Sequence, residues 1–258
     1  MKAIIIAAGR GKRMNELTDD LPKCLLEFNK KTLLQSQFEA FRSAGVKDIS
    51  VIVGYKKEKI DYPGLKYYVN ERYLHNDILH SLFCAQREMD DEFIASYSDI
   101  LFDAKIAKRL LNCKKDIAIL VDTDWRAYYK GRKDHPIDEA ENVIMDSDKK
   151  VLKIGKALGD KNAVHGEFVG MIKCTKKGAA IFRNHFNKIK PIYDGKPFQR
   201  APVFEKAYLT DMVQDLADSG IAVHCVTVKG GWREIDTVED YKKALSEIEK
   251  IGCHDNRN

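Results

Sequence analysis

A glycine turn rich in positive charge follows the first apolar segment of the chain. The turn reads Ala7-Ala8-Gly9-Arg10-Gly11-Lys12-Arg13. Glycines let the backbone approach a ligand closely, and successive backbone N–H groups in such a turn form a nest that binds anions. The three cations add charge that complements a triphosphate. The turn is therefore a candidate phosphate-binding loop, and a solvated basic turn is the alternative.

Two familiar nucleotide-binding patterns do not account for this turn. A dinucleotide-binding loop carries a third glycine where this chain has Met14. The Walker loop, Gly-x-x-x-x-Gly-Lys-Ser/Thr, occurs nowhere in the sequence. The turn therefore belongs to neither class.

Lys23 is a second candidate for contact with phosphate. It follows Pro22, which fixes the local backbone, and apolar residues follow it at once. A lysine held in this way can point inward instead of into solvent. A surface lysine beside a turn is the alternative.

Asp99 is the first of two acids whose context suggests a metal ligand. It follows the predicted strand Phe93–Tyr97, so it lies at the carboxyl edge of the sheet, where ligands bind in open α/β folds. The alternative role is a helix cap. Asp103 stands closer to the predicted helix that begins at Ala104 and suits that role better.

Asp236 is the second acid. Thr237 can cap the last predicted helix, and Asp240 three residues later completes a pair similar to a capping box. Asp236 is therefore not needed for the cap. Mg²⁺ prefers oxygen ligands and is usually held by one or two carboxylates together with substrate phosphates. Asp99 and Asp236 are therefore the predicted ligands of a Mg²⁺ ion.

Polar residues are concentrated between positions 122 and 175. A pocket for a phosphonate or phosphate with a cationic tail needs cations at one end and carboxylates at the other. An indole ring can face an ammonium group. Charged loops on an edge insertion can instead be merely solvated. The residues predicted to bind such a phosphonate or phosphate are Asp124, Trp125, Arg126, Arg132, His135, Glu141, Lys156 and Glu167.

Alternating strand and helix patterns position these residues. The first 121 residues predict a doubly wound, mostly parallel α/β sheet, which forms the nucleotide-binding half of a single domain. Residues 122–175 predict a β-rich polar insertion and return strands, with a hairpin turn at Asp146-Ser147-Asp148. Residues 176–258 predict a mainly helical C-terminal part. The predicted strands are Lys2–Ala7, Ile49–Val53, Phe93–Tyr97 and Ile117–Val121, and the predicted helices are Thr32–Ala44, Asp77–Met89, Ala104–Leu111, Lys176–Phe186, Phe204–Ser219 and Val238–Ile251.

Composition limits the classes of partner. A net charge of +5 over 258 residues suits anionic small molecules, and the absence of a long Lys/Arg block predicts no nucleic-acid partner. The six cysteines show no metal-like spacing, which favours reduced thiols in a cytoplasmic protein. No segment predicts a signal peptide or a membrane span. A homo-oligomer is compatible with the sequence.

The combination of Ala-Ala-Gly-x-Gly-x-Arg with Pro-Lys resembles the signature of nucleotidyltransferases with a GT-A-like, Rossmann-like fold, a group that includes sugar-phosphate nucleotidylyltransferases and phosphocholine cytidylyltransferases. The resemblance implies that the Ala7–Gly11 turn wraps a nucleotide and that Arg10, Lys12 and Arg13 bind the outer phosphates. It implies that Lys23 neutralises charge on the phosphate under attack. In related enzymes, acids placed like Asp99 and Asp236 hold the metal together.

The stretch Asn76-Asp77-Ile78-Leu79-His80-Ser81-Leu82 is similar to the Asn-Asn-x-x-Ser-Leu stretch of phosphocholine-type cytidylyltransferases, with Asp77 in place of the second asparagine. The resemblance implies that Asn76 and Ser81 face the cytosine or ribose of CTP. Asn76 as a helix cap is the alternative.

Two further stretches, Asp-x-Asp-Trp-Arg at 122–126 and His-Gly-Glu-Phe-x-Gly at 165–170, resemble 2-aminoethylphosphonate cytidylyltransferases associated with phosphoenolpyruvate mutase in phosphonate biosynthesis. This likeness implies a Mg²⁺-dependent transfer of CMP from CTP to a small phosphonate or phosphate, with release of pyrophosphate. Phosphocholine, a sugar 1-phosphate or another phosphorylated metabolite is the alternative acceptor. A nucleotide sensor without catalysis is the alternative from another class.

Overall fold

The computed structural model describes residues 1–159 and 162–255, and within 247–255 it describes only the backbone of the last helix. The strands are β1 (Lys2–Ala7), β2 (Glu27–Phe28), β3 (Lys31–Thr32), β4 (Asp48–Val53), β5 (Lys66–Val69), β6 (Phe93–Tyr97), β7 (Ile100–Phe102), β8 (Ile117–Asp122), β9 (Asn142–Met145), β10 (Val151–Gly155), β11 (Gly166–Cys174), β12 (His224–Val228) and β13 (Trp232–Glu234). The helices are α1 (Leu33–Ser43), α2 (Ile78–Cys84), α3 (Ala104–Leu111), α4 (Trp125–Tyr129), α5 (Lys176–Tyr193), α6 (Leu209–Asp218) and α7 (Val238–Asp255).

The central sheet is mostly parallel, as the sequence predicts. Strands β5, β4, β1 and β6 lie side by side in parallel, and β8 pairs in parallel with β12. Between these two groups runs β11, which is antiparallel to β6, β8 and β9. The carboxyl ends of the parallel strands therefore meet at one edge of the sheet, on both sides of β11.

Strand β1 forms the centre because both of its faces are covered. Ile4 and Ile6 belong to the apolar core on one face, whereas Ala3, Ile5 and Ala7 belong to the core on the other. Side chains alternate between faces along a strand, so only a continuous apolar run fills both cores. The predicted bounds of β1 match the observed strand for this reason.

Helix caps agree with the sequence prediction at two positions. Asp103 Oδ1 accepts hydrogen bonds from the backbone N–H groups of Lys105 and Ile106, at 2.8 and 3.0 Å, and so begins α3. Thr237 and Asp240 bond reciprocally at the start of α7. Asp99 is therefore not a helix cap.

The polar insertion contains the predicted hairpin, whereas two helices outside the insertion depart from prediction. Strands β9 and β10 pair around residues 146–150, where the side chain of Asp146 accepts from the N–H of Lys150 at 2.8 Å. The predicted helix Asp77–Met89 instead ends at Cys84, because Ala85 leaves helical geometry and a 3₁₀ segment, Gln86–Asp90, follows. The predicted helix Phe204–Ser219 begins only at Leu209.

Across the two described stretches, every helix is too short or too polar to traverse a lipid bilayer.

Candidate active site

Lys23 joins two acids that are far apart in sequence. Its Nζ lies 2.8 Å from Asp99 Oδ2 and 2.7 Å from Asp236 Oδ1. Only 8% of the Lys23 side chain is exposed. Burial alone would lower the pKa of Lys23, but the charges of the two carboxylates outweigh burial and raise it above its ordinary value. Lys23 therefore stays protonated.

The local backbone explains why Lys23 points inward. Pro22 adopts an extended conformation and leads into a single 3₁₀ turn, Lys23–Leu25. Cys24 and Leu25 pack in the apolar core. The chain is thus anchored on both sides of the lysine, as the sequence predicts.

Asp236 receives a second cation from the glycine turn. Arg13 Nη2 lies 2.6 Å from Asp236 Oδ2, and His135 Nδ1 lies 3.2 Å from the same oxygen. Burial would raise the pKa of Asp236, but Lys23, His135 and Arg13 together lower it well below its ordinary value. The carboxylate of Asp240 accepts from the N–H of Asp236 at 3.2 Å, so the cap of α7 also fixes this acid.

Asp99 and Asp236 occupy neighbouring loops. Ile235 donates its N–H to the carbonyl of Asp99 at 2.8 Å, which extends the pairing of β13 with β7. Oδ1 of Asp99 is buried and has no hydrogen-bond partner in the described part of the chain. Two adjacent carboxylates, one with an unpartnered buried oxygen, are a donor set that suits Mg²⁺.

The glycine turn packs directly on Lys23. Gly11 has a φ of +71°, and a Cβ added there would stand 2.8 Å from Lys23 Cβ. Thr18 Oγ1 donates to the carbonyl of Gly11 at 2.9 Å and helps to hold this shape. Only glycine tolerates both the left-handed backbone and this close approach.

We expect Gly11→Ala to lower kcat/KM for the nucleotide by about 10²-fold, because the new methyl group displaces the Lys23 stem from its place. Steady-state kinetics measures this change. The matched control is Gly45→Ala, at φ +96° on the opposite edge of the sheet, where a Cβ meets no described atom within 4 Å. That control carries only the backbone penalty, so equal losses of kcat/KM in the two variants would contradict the steric argument.

Two clefts meet at the Lys23 cluster. The first, here named the loop cleft, is lined by the Gly9–Arg13 turn, Lys23, Tyr73, Leu74 and Lys206. The second, here named the acidic cleft, is lined by residues of the polar insertion, among them His135, Glu139, Glu141, Lys156 and Glu167. The residues that line both are Arg13, Asp77, Ile78, Tyr97, Asp99 and Asp236.

The structure does not bring every predicted nucleotide contact to the loop cleft. Ala7 and Ala8 are buried in the core and do not line it. Asn76 and Ser81 do not line it either, because both bind the side chain of Asn70, at 2.7 and 2.8 Å. The cap of α2 falls on Asp77, not Asn76.

Burial raises the pKa values of several carboxyl groups that line the acidic cleft. Burial raises the pKa of Glu141 to about 7, although Thr210 Oγ1 donates a hydrogen bond to it at 3.0 Å. Burial raises the pKa of Glu167 well above its ordinary value. The hydroxyl of Tyr129 donates to Oε1 of Glu167, whereas Oε2 has no partner among the described residues.

Arg132 does not line the acidic cleft. Its guanidinium binds the carboxylate of Asp240 at 2.6 and 2.9 Å and lies 3.1 Å from His135 Nδ1. The rings of Tyr128 and Tyr129 cover it at 4.5 and 4.9 Å. Arg132 therefore supports the wall of the cleft from behind.

Asp124, Trp125 and Arg126 also lie away from the acidic cleft. Trp125 packs in a small apolar cluster with Tyr129 and Ala140. The guanidinium of Arg126 lies 4.6 Å from the centre of the Trp125 ring, so a protein cation already covers one face of the indole. The prediction that these three residues contact the acceptor lacks support from their placement.

The structure adds Glu234 and Trp232 to the acidic cleft, beside Asp236. These residues alternate along β13 and its continuation, and alternate residues of a strand face the same side. This two-residue period is visible in the sequence and would have identified them.

Comparison with known proteins finds nucleotidyltransferase relatives of this chain. The profile of the MobA-like NTP transferase domain matches residues 3–181. A CTP:phosphoglutamine cytidylyltransferase from Campylobacter jejuni is 28% identical over 253 residues, which cover 93% of this chain and 97% of that protein. A 2-aminoethylphosphonate cytidylyltransferase from Lancefieldella rimae is 31% identical over 171 residues, 64% of each chain.

A solved structure of CTP:phosphocholine cytidylyltransferase from Streptococcus pneumoniae superposes with a TM-score of 0.72. The match covers 96% of this chain and 98% of that one, at 22% identity. At this identity the likeness speaks for the fold alone, and it confirms the predicted GT-A-like α/β architecture.

Proposed function

Because the chain belongs to the family with the MobA-like NTP transferase domain, and is a cytidylyltransferase-type nucleotidyltransferase that acts on phosphorylated substrates, we propose that it transfers CMP from CTP to a small amine-bearing phosphonate or phosphate. 2-Aminoethylphosphonate is the first candidate. The observation that carries the proposal is the meeting of the loop cleft and the acidic cleft at Lys23, Asp99 and Asp236. A nucleotide in one cleft and an acceptor in the other would approach each other there.

The proposed reaction needs no nucleophile from the protein. An oxygen of the acceptor, already an anion at neutral pH, attacks the α-phosphorus of CTP in line, and pyrophosphate leaves. Lys23 stabilises the charge that develops on the α-phosphate, while Arg10, Lys12 and Arg13 bind the outer phosphates. Positioning and charge neutralisation supply the catalysis.

Asp99 and Asp236 would hold a Mg²⁺ ion at the junction of the two clefts. The unpartnered Oδ1 of Asp99 and the proximity of both acids to one cation support this assignment. When bound, Mg²⁺ supplies charge neutralisation between two anionic reactants.

The acidic cleft supports an acceptor with a primary amine. Oε2 of Glu167 is buried and has no hydrogen-bond partner among the described residues. A bound ammonium group would donate to this oxygen and would favour the ionised carboxylate, whose pKa burial raises. A primary ammonium group donates N–H bonds, whereas a trimethylammonium group cannot. Glu141 and Glu234 line the same cleft, and a bound ammonium group would favour the ionised form of both, because burial raises their pKa values.

The cysteines support a reducing compartment. Five of them have free thiols, and Cys253 lies outside the residues whose side chains are described. We therefore place the reaction in the cytoplasm.

Release of pyrophosphate tests the proposal. The enzyme is incubated with Mg²⁺, each of the four common nucleoside triphosphates and a panel of acceptors: 2-aminoethylphosphonate, phosphoethanolamine, phosphocholine, glucose 1-phosphate and ethylphosphonate. We expect CTP with 2-aminoethylphosphonate to give the highest kcat/KM. Preference for phosphocholine or a sugar phosphate would overturn the choice of acceptor. Binding of nucleotide without release of pyrophosphate from any pair would indicate a sensor.

Glu167→Gln provides a separate prediction about the acceptor. Loss of the carboxylate removes a charged hydrogen bond to the ammonium group, so kcat/KM for 2-aminoethylphosphonate should fall by about 10–100-fold. Ethylphosphonate, which lacks the amine, serves as the internal control and should lose little. Equal losses for the two acceptors would refute the ammonium-binding role of Glu167.

A further inference from the structure

Lys23 contacts both of the acids that are proposed to hold a metal ion, Asp99 and Asp236. Its Nζ is within 2.8 Å of an oxygen of each acid. The other oxygen of Asp236 faces Arg13 at 2.6 Å. Both oxygens of Asp236 are thus already close to protein cations.

The surrounding residues keep Lys23 in this position. Gly11 presses against the aliphatic stem of the lysine, and Cys24 is fixed in the core. The Lys23 side chain is 8% exposed, whereas Arg13 is 52% exposed. Arg13 can therefore leave Asp236 for solvent readily, but Lys23 needs a new anionic partner to replace its two carboxylates.

The loop cleft offers a place for that partner. Lys23 lines this cleft together with Arg10, Lys12 and Arg13. A nucleotide whose phosphates lie among these cations brings negative charge to the lysine ammonium. Lys23 can then exchange carboxylate for phosphate without becoming an unpaired buried charge.

We propose that Lys23 is a latch that excludes divalent metal from Asp99 and Asp236 until a nucleoside triphosphate draws it away. Metal and nucleotide then bind with positive coupling, and by linkage each raises the affinity for the other to the same extent. Free protein binds a divalent ion weakly, because the lysine charge already neutralises the two acids and repels the ion. This inference rests on the metal ligands assigned in the proposed function.

Binding of Mn²⁺, followed by the electron paramagnetic resonance signal of the free ion, tests the latch without catalysis. Lys23→Met keeps most of the length of the side chain but removes its charge. It should bind Mn²⁺ at least about tenfold more tightly than the wild type, which corresponds to about 1.4 kcal/mol. Lys23→Arg keeps the charge and should bind Mn²⁺ as weakly as the wild type. Lys173→Met is the matched control, since Lys173 is equally buried but pairs with Glu92 outside both clefts.

The non-transferable analogue α,β-methylene-CTP completes the experiment. It should raise the Mn²⁺ affinity of the wild type by a larger factor than that of Lys23→Met, because the variant has no latch to release. Equal Mn²⁺ affinities of the wild type and Lys23→Met, with both folded by circular dichroism, would overturn the latch.

A different result would contradict the assignment of the metal ligands. Asp236→Asn, added to Lys23→Met, should abolish the gain in Mn²⁺ affinity. If the double variant retains the gain, the ion binds elsewhere and the proposed metal ligands are wrong. If Asp236→Asn weakens Mn²⁺ binding but Lys23→Met does not strengthen it, only the latch is wrong.

Discussion

Asp236→Asn is expected to lower kcat by about 10³-fold or more, the largest effect that we predict for a single substitution. Asparagine keeps the shape of the side chain but removes the charge that contacts Lys23, Arg13 and His135. The proposed Mg²⁺ ligand and the partner of Lys23 and Arg13 are lost together. Single-turnover measurement of CMP transfer at saturating CTP and Mg²⁺ separates this loss from weaker binding.

A loss of stability must be distinguished from a loss of catalysis. Asp236→Asn leaves Lys23 with only Asp99 as partner, so the free energy of unfolding should fall by about 1–3 kcal/mol. Glu88→Gln is the matched control, because Glu88 is also a buried carboxylate and pairs with Lys2 at 3.2 Å. Lys2 begins β1, on the order of 15 Å from the clefts at the other end of that strand.

Glu88→Gln should therefore cost a similar amount of stability and leave kcat within about twofold of the wild type. Urea unfolding gives the stability of both variants, and the transfer assay gives the rates. Full Mg²⁺-dependent activity of Asp236→Asn would contradict the assignment of Asp236 as a metal ligand. Equal losses of kcat in Asp236→Asn and Glu88→Gln would mean that Asp236 contributes only to stability.

Local sequence patterns were sufficient to predict several strands and helices of the fold. The bounds of β1, β6 and α3 coincide with prediction because each has a continuous apolar run or a clear cap. The proximity of Asp99 and Asp236 was expected from the resemblance to nucleotidyltransferases, since no strand was predicted before Asp236. Their roles in catalysis are still predictions.

Antiparallel β11 lay beyond such patterns. All nine of its residues are buried, including Glu167 and Lys173. Its polar residues led to the interpretation that this stretch lines a pocket. Its pairing with three other strands depends on distant parts of the chain, which local patterns do not include. A continuous apolar run indicates a strand that is buried on both faces, and the polar residues of β11 interrupt such a run.

The acceptor side of the site was less predictable for the same reason. Arg132 was expected to contact the acceptor, but its partner Asp240 lies 108 residues further along the chain. Asn76 and Ser81 both hydrogen-bond with the side chain of Asn70. The type of a polar residue does not disclose whether its hydrogen-bond partner is a ligand or another side chain.

Lys23→Met is the second substitution for which we expect a large effect, a fall in kcat of about 10²–10³-fold. The proposed reaction places negative charge on the α-phosphate, and Lys23 is the buried cation that lines the loop cleft beside Asp99 and Asp236. A charge that is fixed in advance stabilises the transition state without reorganisation. The loss should therefore appear in kcat more than in KM for CTP.

Lys173, which is also buried, provides the comparison. Lys173 pairs with Glu92 at 2.8 Å and donates to the carbonyl of Cys113, so Lys173→Met also breaks a buried ion pair. If burial of a paired lysine mattered only for stability, both variants would unfold more easily and both would keep their kcat. We expect both to lose stability and only Lys23→Met to lose kcat. A rise in KM for CTP with unchanged kcat in Lys23→Met would mean that Lys23 binds the nucleotide equally in the ground state and the transition state, and its catalytic role would be wrong.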